Sequence, residues 1–291
     1  VHLAGGARYE SVTLKVGDYT TLASYGSRAV GGGEPSFDAT LVNGGIVVNP
    51  IEGLRLYASY AEGYTVPDVG RILRGVNRDG IDVDSFLDIS PVVSDNQEIG
   101  AEWKRGPIEA TAAYFWSKSK LGQLLVLNPA TNVYDVQRQR VEIEGLELNV
   151  SARTPVPGVS VNAGYAKLKG RADSNGDGKV DIDLDGANIS PDRFNFALIY
   201  QEGPLSARLQ SQSYLERDFD GADPRNSFGG YTLVDASVRY EAGFGDVVLS
   251  VQNLMDEYYL SYASDTSNPT DNLRYFAGRG RVFTLGLERR F

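Results

Sequence analysis

Cysteine is absent from the 291 residues, which excludes disulfides and any thiolate metal site. The chain holds one histidine and one methionine. A histidine-rich metal centre and a serine–histidine–aspartate hydrolase both lose ground, although His2 alone does not exclude them. Excess positive charge is missing too. The formal net charge is −10, whereas a nucleic-acid partner calls for cations that displace counterions, so none is expected. No apolar run reaches the roughly 18 residues of a transmembrane helix. No signal peptide is evident, and Val1 reads as mid-strand. The expectation is a piece of a longer protein whose targeting segment lies elsewhere.

What is present points to strands and turns. The chain carries 17 Tyr, 11 Phe, 2 Trp and 33 Gly. Near the C-terminus Phe283, Leu285, Leu287 and Phe291 share one parity, against Thr284, Gly286, Glu288 and Arg290 on the other. Val234, Ala236, Val238 and Tyr240 alternate with Asp235, Ser237 and Arg239. Ile108, Ala110, Ala112, Tyr114 and Trp116 form another apolar set, as do Phe194, Phe196, Leu198 and Tyr200, and Leu54, Leu56, Ala58 and Tyr60. Leu205, Ala207 and Leu209 alternate with Ser206, Arg208 and Gln210. A period of two means strands with one apolar and one polar face.

Connectors alternate in length. Short ones carry turn residues near 49–53, 104–107, 154–158, 201–204 and 242–245. Long ones fall near 65–93, 119–133, 171–190, 216–228 and 260–274. Tight turns at one end and long loops at the other, with aromatic rings near strand ends, fit an antiparallel transmembrane β-barrel of about twelve strands. Tyr57, Tyr60, Tyr64, Tyr114, Trp116, Tyr200, Tyr214, Tyr240, Tyr258, Tyr259 and Phe276 are the candidate girdle. A change of parity around Gly145 predicts a bulge. A soluble β-sandwich is the bland rival, but it does not account for charged rows such as Asp235/Arg239 opposite apolar faces.

Two local patterns suggest binding. In DSNGDGKVDIDLDG, Asp173, Asn175, Asp177 and Asp181 take the first, third, fifth and ninth positions of a calcium loop, with Gly178 at the sixth. The twelfth position is Leu184, so Asp183 or Asp185 would have to substitute. Calcium in loop 173–185 is one expectation, and a solvated acidic loop is the other. In the 65–93 connector, Arg71, Arg74 and Arg78 could grip an anionic ligand, with Tyr64 as a stacking face. A charged, mobile loop is the plainer reading of the same residues. The 121–134 segment carries an apolar patch placed in an external connector.

YTLVDASVRYEAGFGDVVLSVQNLMDEYY resembles the penultimate hairpin of TonB-dependent outer-membrane receptors, including an N-L-x-D-x-x-Y element at Asn253, Leu254, Asp256 and Tyr259. GRGRVFTLGLERRF resembles their closing strand, with Phe291 as the terminal aromatic and Arg289 as a departure from the usual apolar residue. LRLYASYAEGYTVPDVGR, NQEIGAEWK, AAYFWSKSKLG, VEIEGLELN and NISPDRFNFAL are similar to segments of the ferric-siderophore branch. The resemblance implies a parent barrel of about 22 strands with an N-terminal plug. Residues 1–291 would be its C-terminal part, without plug or TonB-contacting box.

It also implies a bacterial outer-membrane location, uptake of a ferric siderophore, TonB as energy-coupling partner, contact with outer-membrane lipid, and no enzymatic activity. Phe283, Leu285, Leu287 and Phe291 would then form the tag read by the barrel-assembly machinery. The alternatives are a non-energised porin or adhesin-type barrel, or a receptor for haem, cobalamin or an oligosaccharide.

Overall fold

A computed structural model describes the chain except residues 67, 75, 77–78, 87–90, 129–132, 185, 187, 220–226, 267–275 and 290–291, and except the side chains of 71, 85–86, 121–128 and 133–138. In chain order the strands are β1 (His2–Thr13), β2 (Tyr19–Thr20), β3 (Ala29–Gly31), β4 (Ser36–Ile51), β5 (Leu54–Thr65), β6 (Ile81–Asp82), β7 (Val92–Arg105) and β8 (Ile108–Asn128). They continue as β9 (Val133–Arg153), β10 (Val159–Ala172), β11 (Ile182–Asp183), β12 (Arg193–Glu202), β13 (Leu205–Tyr214), β14 (Tyr231–Ala242), β15 (Gly245–Gln252) and β16 (Val282–Glu288). Short helices α1 (Val69–Arg74), α2 (Val83–Phe86) and α3 (Tyr262–Thr266) sit in the long connectors.

Twelve strands form one antiparallel path, β1-β4-β5-β7-β8-β9-β10-β12-β13-β14-β15-β16, with β11 paired to β10 beside it. Among the described residues β1 and β16 are the two ends of this path. The expected strand count and pairing pattern are therefore present. Each short connector is a tight turn, and four of the five are tied to the neighbouring strand by a main-chain bond. The N–H of Lys104 donates to Gly53 O, Arg153 to Pro107 O, Gln201 to Gly158 O and Glu241 to Pro204 O, at 2.8–2.9 Å. Gly53 and Gly158 adopt φ of 80° and 73°, a region that glycine enters without steric cost.

The register places the apolar sets on one face. Leu3, Ile46, Ala58, Ile99, Tyr114 and Leu146 form one row across six strands. Ala152, Val161, Leu198, Leu209, Ala236, Val251 and Phe283 form another. Many of these side chains are exposed, including Ile46, Ile99, Leu198, Leu209 and Phe283. Exposed apolar rows along a whole wall are what hydrocarbon contact requires. Trp103, Tyr200 and Tyr240 lie on this face near the tight turns, and Tyr60, Tyr114, Trp116 and Tyr165 toward the long connectors. Tyr57 and Tyr214, grouped above with the girdle, have the opposite parity and face the polar side.

Two local expectations are corrected. Residues 119–128 are not a loop. They continue β8 in register with β9, so the apolar segment lies on a long hairpin rather than in an open connector. The irregularity falls between Ser119 and Gly122 and not at Gly145. Gly145 is paired regularly on both sides, to Phe115 and to Leu168. Its role is space, because a Cβ there would collide with the Phe115 ring and the Leu168 methyl.

Long connectors build their own cores. The segment between β1 and β4 packs on the one between β5 and β7, burying Val30, Phe37, Leu73, Val76 and Val83 under the small β2-β3-β6 sheet. The connector after β10 folds Leu184 and Ile189 onto Val141, Ala172 and Leu168.

Adjacent residues on β9 should respond oppositely to one substitution. Leu148→Arg places a charge on the apolar face and should cost about 2–4 kcal/mol. Asn149→Arg, one residue on, should change stability by less than about 1 kcal/mol. Denaturant titration of the full-length protein in lipid vesicles reads both, and equal costs would contradict the assigned faces.

Candidate functional site

The polar face opposite the apolar rows is the surface best equipped to meet a solute or another polypeptide. Three rows cross it. Thr111, Asn149, Gly164, Asn195 and Gln212 form the first. Glu109, Ser151, Asn162, Ala197, Gln210 and Asp235 form the second, and Arg153, Ser160, Ile199, Arg208 and Ser237 the third. Together they border a concave space of about 370 Å³ lined by Asn149, Asn162, Asn195, Arg208, Gln210 and Gln212 among others. Amides dominate. An amide offers donors and an acceptor without fixed charge, so such a wall can exchange hydrogen bonds with water, ligand or protein without trapping an ion.

Of the charges expected on this face, several are already matched. Arg55 Nη1 lies 3.2 Å from Glu102. Arg239 pairs with Asp246 and, at 3.1 Å, with Glu288. Arg208 Nε donates to Gln210 Oε1 at 2.8 Å, and Gln210 Nε2 donates to Asp235 at 3.1 Å. Arg290 lies outside the described residues. The charged positions were legible as an inward row. The amides Asn149, Asn162, Asn195 and Gln212 were not singled out, although their parity in VEIEGLELN and its neighbours carried the signal.

The N-L-x-D element is a clamp. Asn253 is buried, with φ of 50°. Its side-chain amide donates to Glu257 O at 2.9 Å and Arg279 O at 3.0 Å, and its Oδ1 accepts from Glu257 N at 2.8 Å. Asp256 Oδ1 accepts from Arg281 N at 2.8 Å. Asp235 Oδ1 accepts from the Asn253 N–H at 2.9 Å, which ties the clamp to the amide wall. Residues 253–257 and 279–281 are thus held together across a long connector. An aromatic cluster lies beside the clamp. Tyr231 lies 4.8 Å from Tyr214 and 4.6 Å from Tyr259, and Phe228 meets Tyr262 edge-on at 4.9 Å.

The loop residues proposed as ligand contacts are placed unevenly. Tyr64 donates its hydroxyl to Phe37 O at 3.0 Å and packs into the loop core. Arg74 sits in α1 with its guanidinium 6.0 Å from the Tyr25 ring. Arg71 is in α1 with its side chain outside the description, and Arg78 lies outside the described residues. The two described side chains therefore join loop to loop.

The acidic loop is a self-bonded turn. Buried Asp173 accepts N–H donors from Gly176 and Gly178, both at 2.7 Å, and from Asn175 at 3.3 Å. Asp181 accepts the N–H and hydroxyl of Ser174, each at 2.8 Å. Asp177 caps Lys179 N at 2.8 Å, and Asp183 pairs with Arg171 at 3.8 Å. Leu184, where a calcium loop places its bidentate acid, is buried in the connector core. Among the described residues no group of three or more His, Cys, Asp or Glu is disposed to hold a metal. The Ser174 N–H, then its hydroxyl, holds the Asp181 carboxyl below its ordinary range.

On the closing strand Phe283, Leu285 and Leu287 stand outward at 67–76% exposure, and Phe291 lies outside the described residues.

Two outcomes are expected from these bonds. Asn253→Ala strips a buried network and should destabilise the fold by about 1–3 kcal/mol, read as a lower unfolding midpoint. If the midpoint holds, the clamp is not structural. Because Asp181 is depressed in the folded state, its contribution is present above the ordinary aspartate range. It is lost as pH falls through the lowered value. Amide exchange at Ser174 should thus accelerate only in strong acid, and Asp181→Asn should remove that dependence.

Residues 1–254 match the family described as TonB dependent receptor-like, beta-barrel. The ferric aerobactin receptor of Klebsiella pneumoniae is 26% identical over 97% of this chain and 41% of its own length. The copper transporter OprC superposes over 99% of this chain and 45% of its own, with a TM-score of 0.76 at 18% identity. The FrpB iron transporter from Neisseria meningitidis (F3-3 variant) covers 99% of this chain and 42% of its own, with a TM-score of 0.70 at 19% identity. The chain spans less than half the length of each of these relatives. An apolar outer face, a polar inner face and a continuous antiparallel strand path place it in the bacterial outer membrane. The chain belongs to the TonB dependent receptor-like β-barrel family.

Proposed function

We propose that the protein of which these residues form the wall takes up a ferric siderophore across the outer membrane, with energy supplied through TonB. The observation that carries this reading is the alignment of nearly the whole chain with a ferric aerobactin receptor, within a family of matching fold. The geometry is compatible with it. An amide-lined wall offers weak, exchangeable hydrogen bonds to a plug or a passing solute. The 65–93 connector carries Arg71, Arg74 and Arg78. Nothing in this reading calls for covalent chemistry, and the chelator would carry the iron.

In this reading Arg71, Arg74, Arg78 and Tyr64 serve the ligand from the 65–93 connector. Arg71 and Arg78 make direct contact with an anionic complex, and Arg74 and Tyr64 hold the connector in shape. No cofactor is required. Calcium in loop 173–185 would stiffen a turn already bonded to itself and would add no chemistry. The outward row Phe283, Leu285 and Leu287, with Phe291, would present the closing strand to the barrel-assembly machinery during insertion.

The test uses ferric aerobactin as probe. Cells lacking the receptor gene and complemented with it should take up labelled ferric aerobactin only when TonB is intact. Purified full-length protein should bind the probe, and Arg71→Ala with Arg78→Ala should weaken binding roughly tenfold or more through lost charge-assisted hydrogen bonds. Uptake that ignores TonB would favour a passive pore. No binding of the probe would remove the siderophore class it represents.

A further inference from the structure

The inner wall divides into two sectors. On β5, β7 and β8 several inward polar groups are matched within the wall. Arg55 lies 3.2 Å from Glu102 and Lys104 lies 2.5 Å from Glu109, while the Tyr57 hydroxyl donates to Glu98 at 2.6 Å. On β9, β10, β12 and β13 the amides are left unspent. The side chains of Asn162, Asn195 and Gln212 make no hydrogen bond among the described residues, and Asn149 makes a single long one, 3.5 Å to Thr111. Arg208 turns its Nε to Gln210 at 2.8 Å, and Gln210 in turn donates to Asp235 at 3.1 Å.

The unspent amides surround one recess of about 370 Å³. Its floor is low because small residues hold the middle of the rows. Gly164 stands between Asn149 and Asn195 in one row, and buried Ala197 stands between Asn162 and Gln210 in the next. A Cβ on Gly164 would lie 2.9 Å from Asn149 Oδ1, so a larger residue would crowd that amide. All of these residues belong to strands, so the recess is part of the wall and stands apart from the 65–93 connector. Toward the long connectors β10 is covered on its inner face, where Leu184 and Ile189 lie over Gly170.

Each amide both donates and accepts, so the occupant must do the same. It needs no charge at this point, since no carboxylate lines the recess and its one guanidinium is bonded to Gln210. A polypeptide packed on the wall calls for an apolar or aromatic anchor at the centre of its contact. Among the lining side chains of inward parity, Ala197 alone is apolar. A space of this size suits part of a small solute. Resting on the uptake reading, we propose that the recess is a way-station for the solute in transit. Hydroxyl and amide groups of the solute's organic shell bond to Asn149, Asn162, Asn195 and Gln212. Such bonds replace bonds to water at little net gain, so the solute is held briefly and released.

Full-length receptor is expressed in cells lacking the native gene, and uptake of labelled ferric aerobactin is measured beside its equilibrium binding to the purified protein. The double variant Asn195→Leu, Gln212→Leu keeps side-chain volume and removes the hydrogen bonds. Its maximal uptake rate should fall roughly fivefold or more, with Kd and the unfolding midpoint unchanged. The double variant Asn195→Gln, Gln212→Asn keeps the amides and should retain the rate. So should Asn43→Leu, which removes an inward amide on β4, outside the recess. The proposal is overturned if the leucine variant transports as before, or if its Kd weakens in step with its rate. It also falls if either control loses as much. A lowered midpoint, or leakage of small solutes without TonB, would mean that a polypeptide and not the solute occupies the recess, and would overturn it as well. A wild type that takes up no ferric aerobactin removes the uptake reading and this site together. Wild-type uptake that the leucine variant leaves intact removes this site alone.

Discussion

A backbone amide in hydrocarbon has no water to bond, so every N–H and C=O that crosses a membrane must find a partner within the protein. In this chain that requirement sets nearly everything else. It demands an uninterrupted antiparallel ladder, and twelve strands supply one. It leaves side chains free to divide by parity, apolar toward lipid and polar toward the interior. It also makes four of the tight turns repeat one solution, in which a residue near the end of the neighbouring strand bonds back to the turn beside it. Only where the wall leaves the bilayer does the constraint relax. There the connectors may build cores of their own, as Val30, Phe37 and Val83 do on one side and Leu184 and Ile189 on another.

That same constraint decides what could be read from sequence. Phe194, Phe196 and Leu198, or Val234, Ala236 and Val238, announce their face because lipid and interior impose opposite chemistry on alternate residues. The signal fails where the two environments cease to differ. Residues 119–128 continue β8 beyond the girdle, so the strand carries an apolar run without alternation and resembles a connector. Gly145 fails for another reason. Its meaning lies in the Phe115 ring and Leu168 methyl that arrive from neighbouring strands, and no local pattern encodes that meeting. Aromatics mislead in a similar way, since Tyr57 serves Glu98 on the polar face through a 2.6 Å bond while Tyr60 stands on the outer one.

The candidate site was legible in outline and not in substance. Charged residues draw attention, so Arg55, Arg208, Asp235, Arg239, Glu288 and Arg290 were the inward residues that sequence suggested. The structure places most of them in pairs and leaves the wall to amides, which carry no charge to notice. The N-L-x-D element was recognisable as a pattern, yet its reason needs residue 279 beside residue 253. Through Asp235 the clamp and the amide wall are one network. The clamp is therefore joined to the wall's rows by hydrogen bonds through one carboxylate.

Selectivity, then, has to be sought away from the ladder. Walls that superpose well at under 20% identity belong to transporters named for copper and for iron, so the shared wall geometry does not encode the cargo. The amides on the wall reinforce the point, because they carry no fixed charge with which to tell one ion from another. What distinguishes one such protein from another must lie where parity no longer governs. Those places are the long connectors. They are free to vary because they are not needed to satisfy the backbone of the wall.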